Sequence, residues 1–187
     1  RNHNTYTLFP MLAAPLARMG IQMTHASTPA EALVADRLRY YDGIVIYGNH
    51  MEITPEQEQA LVDFVEGGKG LIAIHSASYM FIKAPRYIPM VGGQFQRHGT
   101  GEFAAEIVQP NHPVMQGVTS FKTWDETYVH SRHNPVDRTV LMERVDAEGR
   151  EPYTWVRNQG KGRVFYTAFG HDERTWTNPG FQRLVAN

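Results

Sequence analysis

Three histidines follow what read as strand ends, and a fourth stands at the start of the chain. His75 closes the apolar run Gly70-Leu71-Ile72-Ala73-Ile74, and His171 follows Phe165-Tyr166-Thr167-Ala168-Phe169-Gly170. His50 is separated by Gly48 and Asn49 from a run at residues 44–47, and His3 lies among the first residues. If these strands are parallel, the imidazoles emerge on one edge of a sheet, where doubly wound folds bind their ligands. Near neutral pH an imidazole serves there as acid, base or metal ligand. The alternative is a polar loop cap at each position.

His75 is the sharpest of these positions. An apolar strand followed by the small residues Ser76-Ala77-Ser78 is how an elbow presents a side chain above a sheet. The Gly-x-Ser-x-Gly form is absent, so Ser76 is either a nucleophile beside a histidine or an ordinary helix cap. Around His171, Asp172 and Glu173 supply carboxylates that could orient the ring, back a metal ligand or cap the next turn. Trp124, Asp125, Glu126, Tyr128 and His130 form another polar and aromatic group, suited to a sugar's C–H faces and hydroxyls or to a hairpin face. His98 points either into the same cleft or into solvent. Gly67-Gly68-Lys69-Gly70 and Gly160-Lys161-Gly162 do not lead a strand into a helix, so neither is a phosphate loop.

The absence of cysteine removes thiolate metal sites and cysteine nucleophiles, and nine histidines leave imidazole and carboxylate as the main reactive groups. Eighteen Lys and Arg against 19 Asp and Glu leave no polyelectrolyte footprint, which argues against nucleic acid as a partner. No apolar run approaches the roughly 18 residues that span a bilayer. A homo-oligomer is compatible with the sequence. No residue pattern assigns a compartment, and the balance leans to the cytoplasm over the periplasm.

The elements that must position these side chains alternate. Leu8, Leu12, Leu16 and Met19 have helical spacing, with Pro15 expected to kink or split the helix. Residues 21–24 read as a short strand. That helix–strand opening predicts a strand and Gly-rich turn ahead of Arg1, with residues 1–4 as the loop leaving it. Thr28-Pro29-Ala30-Glu31 reads as a capping box opening a helix through Leu33, Val34 and Leu38, and Thr54-Pro55-Glu56-Gln57 repeats the signature. Residues 44–47 and 71–74 are continuous apolar runs, as in strands buried on both faces. Capped helices between such strands imply right-handed crossovers and a parallel sheet. Later residues look extended at 102–108, 121–129 and 139–145. A hairpin turns at residues 158–162, and a last helix starts at Asn178. We therefore expect one domain over residues 1–187. Its class is α/β, a doubly wound, mostly parallel sheet in flavodoxin-like order with helices on both faces and an added antiparallel hairpin region.

Several segments, taken in order, resemble the trehalose-utilisation ThuA-like family. They are residues 53–57, residues 64–77, Val91-Gly92-Gly93-Gln94-Phe95 with His98, Asn111-His112-Pro113 through Gly117, Asp125-Glu126-Thr127-Tyr128, and residues 160–172. The resemblance implies a fold similar to class I glutamine amidotransferases and a role in the metabolism of disaccharides and their keto derivatives. In those amidotransferases a cysteine occupies the elbow where this chain has His75, and their histidine aligns with His171. Amidotransferase chemistry is therefore excluded.

The expected function is that of a carbohydrate-metabolism protein acting on a disaccharide or keto-sugar, as a hydrolase or lyase. The rival is a non-catalytic sugar-binding or regulatory domain, or part of a larger protein. The candidate catalytic residues are His75, His171, Asp172 and Glu126. Candidate substrate contacts are His3, His50, Ser76, His98 and Tyr128. A divalent metal (zinc, manganese or nickel) on His75 and His171 is compatible with these ligand types.

Overall fold

The computed structural model describes residues 3–187. Residues 1 and 2 of the expected N-terminal loop lie outside this range. Helix α1 (Thr5–Arg18) is capped by the Asn4 side chain and buries Leu8, Leu12 and Leu16. Of the two outcomes expected at Pro15, the split does not occur, and the helix runs on through it. Proline at this position leaves the Met11 carbonyl without its helical donor, and Gln182 Nε2 donates to that carbonyl at 3.0 Å instead.

Residues 21–24 are not a strand. Their burial alternates as a strand's would, but no neighbouring strand pairs with them among the described residues. The helix expected through Leu38 is two short ones, α2 (Pro29–Ala32) and α3 (Ala35–Leu38). The break lets Leu33 and Leu38 both reach the core while Val34 stays exposed.

Strand β1 (Gly43–Ile46) is followed by α4 (Pro55–Glu66), whose Thr54–Gln57 capping box is complete in both directions. Next come β2 (Gly70–Ile74), a 3-10 turn (His75–Tyr79) and α5 (Tyr87–Val91). Strands β3 (Gln94–Ala104), β4 (Glu106–Ile107), β5 (Lys122–Ser131), β6 (Arg138–Asp146), β7 (Gly149–Gln159) and β8 (Gly162–Thr167) precede α6 (Glu173–Trp176) and α7 (Pro179–Ala186).

The main sheet has the order β1-β2-β8-β7-β6-β4. β1, β2 and β8 pair in parallel, and β7, β6 and β4 are added through antiparallel ladders. Because β7 reverses the direction and β6 restores it, most strands still run one way, as the expected α/β class requires. β1 is an edge strand and only half-buried, not covered on both faces as its apolar run suggested. β3 and β5 form a separate antiparallel ribbon.

The core mixes aliphatic and aromatic side chains, with Tyr153, Trp155, Tyr166, Phe169 and Phe181 fully buried. Polar tips buried there need partners. The Trp155 indole accordingly donates to Val91 O at 2.8 Å. Gly92 closes α5 in the left-handed region (φ +100°), and a Cβ there would stand 2.9 Å from that indole nitrogen. Parallel pairing of β2 with β8, Ile74 opposite Thr167, brings the ends of both strands to one edge.

Candidate metal centre

Four side chains from distant parts of the chain meet at this edge. His75 leaves the end of β2, and His171 lies in the loop after β8. His3 immediately precedes the cap of α1, and Glu126 is delivered by β5. One ligand atom from each lies within 4.8 Å of the other three. Two ligands about 2.1 Å from a common ion are at most about 4.2 Å apart. Around a tetrahedral ion such atoms stand about 3.4 Å apart, so the widest-spaced of the four would close by about an ångström on binding.

The ring tautomers follow from the outer contacts. His75 Nδ1 donates to Ala168 O at 2.6 Å, and His3 Nδ1 donates to the Asn49 side-chain oxygen at 2.9 Å. Each Nε2 therefore turns a lone pair inward. Among the described residues, three buried nitrogens of this cluster make no hydrogen bond: His3 Nε2, His75 Nε2 and His171 Nδ1. Glu126 is close, with Oε1 3.0 Å from His171 Nδ1 and Oε2 3.2 Å from His75 Nε2. The angles fall short of hydrogen bonds, but the carboxylate is the charge that faces both rings. A buried polar atom without a partner is costly, and Glu126 offsets that cost for His75 and His171.

The electrostatics are coupled. Burial, reinforced by the neighbouring His75, pulls the His3 imidazole down to about 4. Glu126 beside it holds His171 above the usual imidazole range, against the opposing effect of burial. Burial would raise the Glu126 carboxyl, but His171 and His75 together hold it well below the ordinary range. His3 and His75 both have left-handed backbones, φ 57° and 49°. Such strain in a residue with a side chain persists where surrounding structure enforces it, often at ligand sites.

Two of the four, His3 and Glu126, line a cleft of about 340 Å³ together with Asn49, Met51, Tyr79, Phe95, His98 and Tyr128, among others. Tyr128 stacks on His75 with ring centroids 4.2 Å apart. His98 Nδ1 faces Gly99 O, and its Nε2 is 3.6 Å from Glu126 Oε1. Ser76 is buried at the cleft wall, where its Oγ accepts from Gly48 N; it therefore serves the turn after β1. His50 is exposed, with its ring on Ser27 O, and does not line the cleft. Asp172 caps α6 and pairs with Arg174, outside the four-residue cluster.

The family model described as trehalose utilisation, ThuA, matches residues 2–187. The chain belongs to the ThuA family. Membership brings a role in carbohydrate metabolism at the level of the family. A ThuA-like protein from Parabacteroides merdae is 19% identical, covering 100% of this chain and 84% of its own, with a TM-score of 0.78. Another, from Bacteroides uniformis, is 19% identical over 97% of this chain and 82% of its own, with a TM-score of 0.76. A cytoplasmic protein of Salmonella typhimurium is 15% identical, covers 96% of this chain and 83% of its own, and has a TM-score of 0.65. At these identities the likeness speaks for the fold. A search of curated protein sequences returns no match.

Sequence reasoning placed only His75 and His171 in the metal set of this ThuA chain. It assigned Glu126 to catalysis and His3 to substrate contact. Asn49, which orients His3, was missed, because a lone Asn after a strand reads as a turn. The available signal for Glu126 was its period-2 spacing with Tyr128 and His130, which puts all three on one face of β5.

Proposed function

We propose that this protein is a metal-dependent enzyme of carbohydrate metabolism, a hydrolase or lyase acting on a disaccharide or keto-glycoside. His3, His75, Glu126 and His171 would hold a divalent ion. The observation that carries this reading is the convergence of three imidazole nitrogens, none in a hydrogen bond, on one carboxylate. Imidazole with carboxylate suits zinc, manganese or nickel. Such an ion would polarise a carbonyl or hydroxyl oxygen of the substrate.

The cleft supports a sugar ligand. Phe95 and Tyr128, with ring centroids 4.4 Å apart, and Tyr79 beside Phe95 offer apolar faces to sugar C–H groups. Asn49 and His98 add polar atoms at the rim. His98 Nε2, close to Glu126, stands where an imidazole can hold or pass a proton.

The test is elemental analysis of the purified protein, then a turnover screen on disaccharides and 3-keto-disaccharides. Wild type should carry stoichiometric metal and turn over a member of the panel. Glu126→Gln should lose both, and His50→Ala neither. Saturable sugar binding without metal or turnover would favour a non-catalytic module instead.

A further inference from the structure

Asp125 is fully buried and lies just outside the ion-binding group. Its Oδ1 accepts from the backbone N–H of Glu126 at 2.8 Å and of His171 at 3.2 Å. Its Oδ2 accepts from Gly170 N at 2.8 Å and from the Thr175 hydroxyl at 2.7 Å. Both oxygens act only as acceptors, so the bonding pattern is that of a carboxylate. Oδ1 is also 3.9 Å from His75 Nδ1, whose proton is directed to Ala168 O. One side chain therefore ties β5, which carries Glu126, to the loop that carries His171.

The carbonyl side of that loop is held as well. Trp176 Nε1 and the Tyr47 hydroxyl both donate to Gly170 O, at 2.8 and 2.9 Å. Gly170 itself (φ +135°) approaches the end of β2 so closely that a Cβ would stand 2.8 Å from Ile74 Cγ2.

We infer that Asp125 is a positioning residue for the ion site, fixing Glu126 and His171 relative to each other through their backbone amides. The inference rests on the metal reading above for its consequence and on hydrogen bonding for its mechanism. Asparagine cannot replace it, because one carboxylate oxygen would become an NH2 group facing donors. With Glu126, Asp125 also supplies two negative charges beside a divalent ion held by three neutral imidazoles, which matches the ion's charge.

The test is Asp125→Asn, read by Co2+ titration with visible absorption and by amide hydrogen exchange in metal-free protein. Wild-type Gly170 and His171 amides should be protected. In the variant, protection at these two amides should fall while that of Leu71 and Ile72 in β2 persists. Co2+ affinity should drop by about 10–100-fold, the range for lost outer-shell partners, with a changed absorption band. Unprotected Gly170 and His171 amides in wild type would overturn the inference. So would a folded variant with unchanged Co2+ affinity and spectrum. If Asp125→Asn does not fold, Thr175→Val removes one donor to Oδ2. It should speed exchange at Gly170 and weaken Co2+, and no change in either would refute the clamp. If wild type binds no Co2+, the metal reading fails on its own, and the exchange data still decide the role of Asp125.

Discussion

Replacing His75 by Asn separates its value as a ligand from its value as a packed ring. Asn accepts the left-handed backbone found at this position (φ 49°). In metal-free protein the variant loses the stack on Tyr128, about 0.5–1.5 kcal/mol. It also loses the Nδ1–H bond to Ala168 O, about 1 kcal/mol. Removing Nε2 does not offset this, because Glu126 Oε2 already stands 3.2 Å from it and the Asn amide is itself buried there. The metal-free variant should therefore melt below metal-free wild type, and the ligand role is read from the rise that each shows on adding an ion. With zinc, manganese or nickel at 100 times Kd, wild type should gain about 2.7 kcal/mol. For a chain of 187 residues that is a rise of about 5–11 °C, and the variant should lose most of it. The assay is differential scanning calorimetry after chelator treatment, with and without each ion. An equal rise in both proteins, or none in wild type with any of the three ions, would refute the ligand role.

Ion affinity should depend on pH with a definite sign. His171, held above its usual range by Glu126, binds a proton that competes with the ion. Affinity should therefore climb with pH and flatten above that raised value, with proton release visible by calorimetry in buffers of different ionisation enthalpy. Gly170→Ala places a Cβ 2.8 Å from Ile74 Cγ2 in a left-handed segment, so urea unfolding should report a loss of about 1–3 kcal/mol. A loss below the error of the fit would show that the loop yields. Gln182→Leu removes the donor to the Met11 and Trp176 carbonyls and should cost about 1–3 kcal/mol in the same assay. Unchanged stability would mean that α1 tolerates Pro15 without that donor.

Much of the scaffold was legible in the sequence, because its signals are local. The Thr54 capping box starts α4 at the expected residue, and the apolar runs give β1 and β2 as adjacent parallel strands. The placement of His75 and His171 at one sheet edge follows from strand direction alone, and these two rings lie 5.7 Å apart. Local signals failed where a distant group intervened. Pro15 is accommodated by Gln182, more than 160 residues away in the chain, and residues 21–24 have strand-like burial but no described neighbour to pair with. The ligand set was the larger gap. Glu126 reaches the site only because the β3–β5 ribbon packs against the 3-10 turn after β2 and against α6, and His3 because Asn49 turns its ring inward. Asp172, adjacent to His171 in sequence, faces Arg174, whereas the more distant Asp125 holds the His171 amide. Sequence determines which side chains are chemically able to bind an ion and which strands present them. Which nitrogens are left without partners, and which carboxylate meets them, depends on long-range packing and is decided only in the tertiary structure.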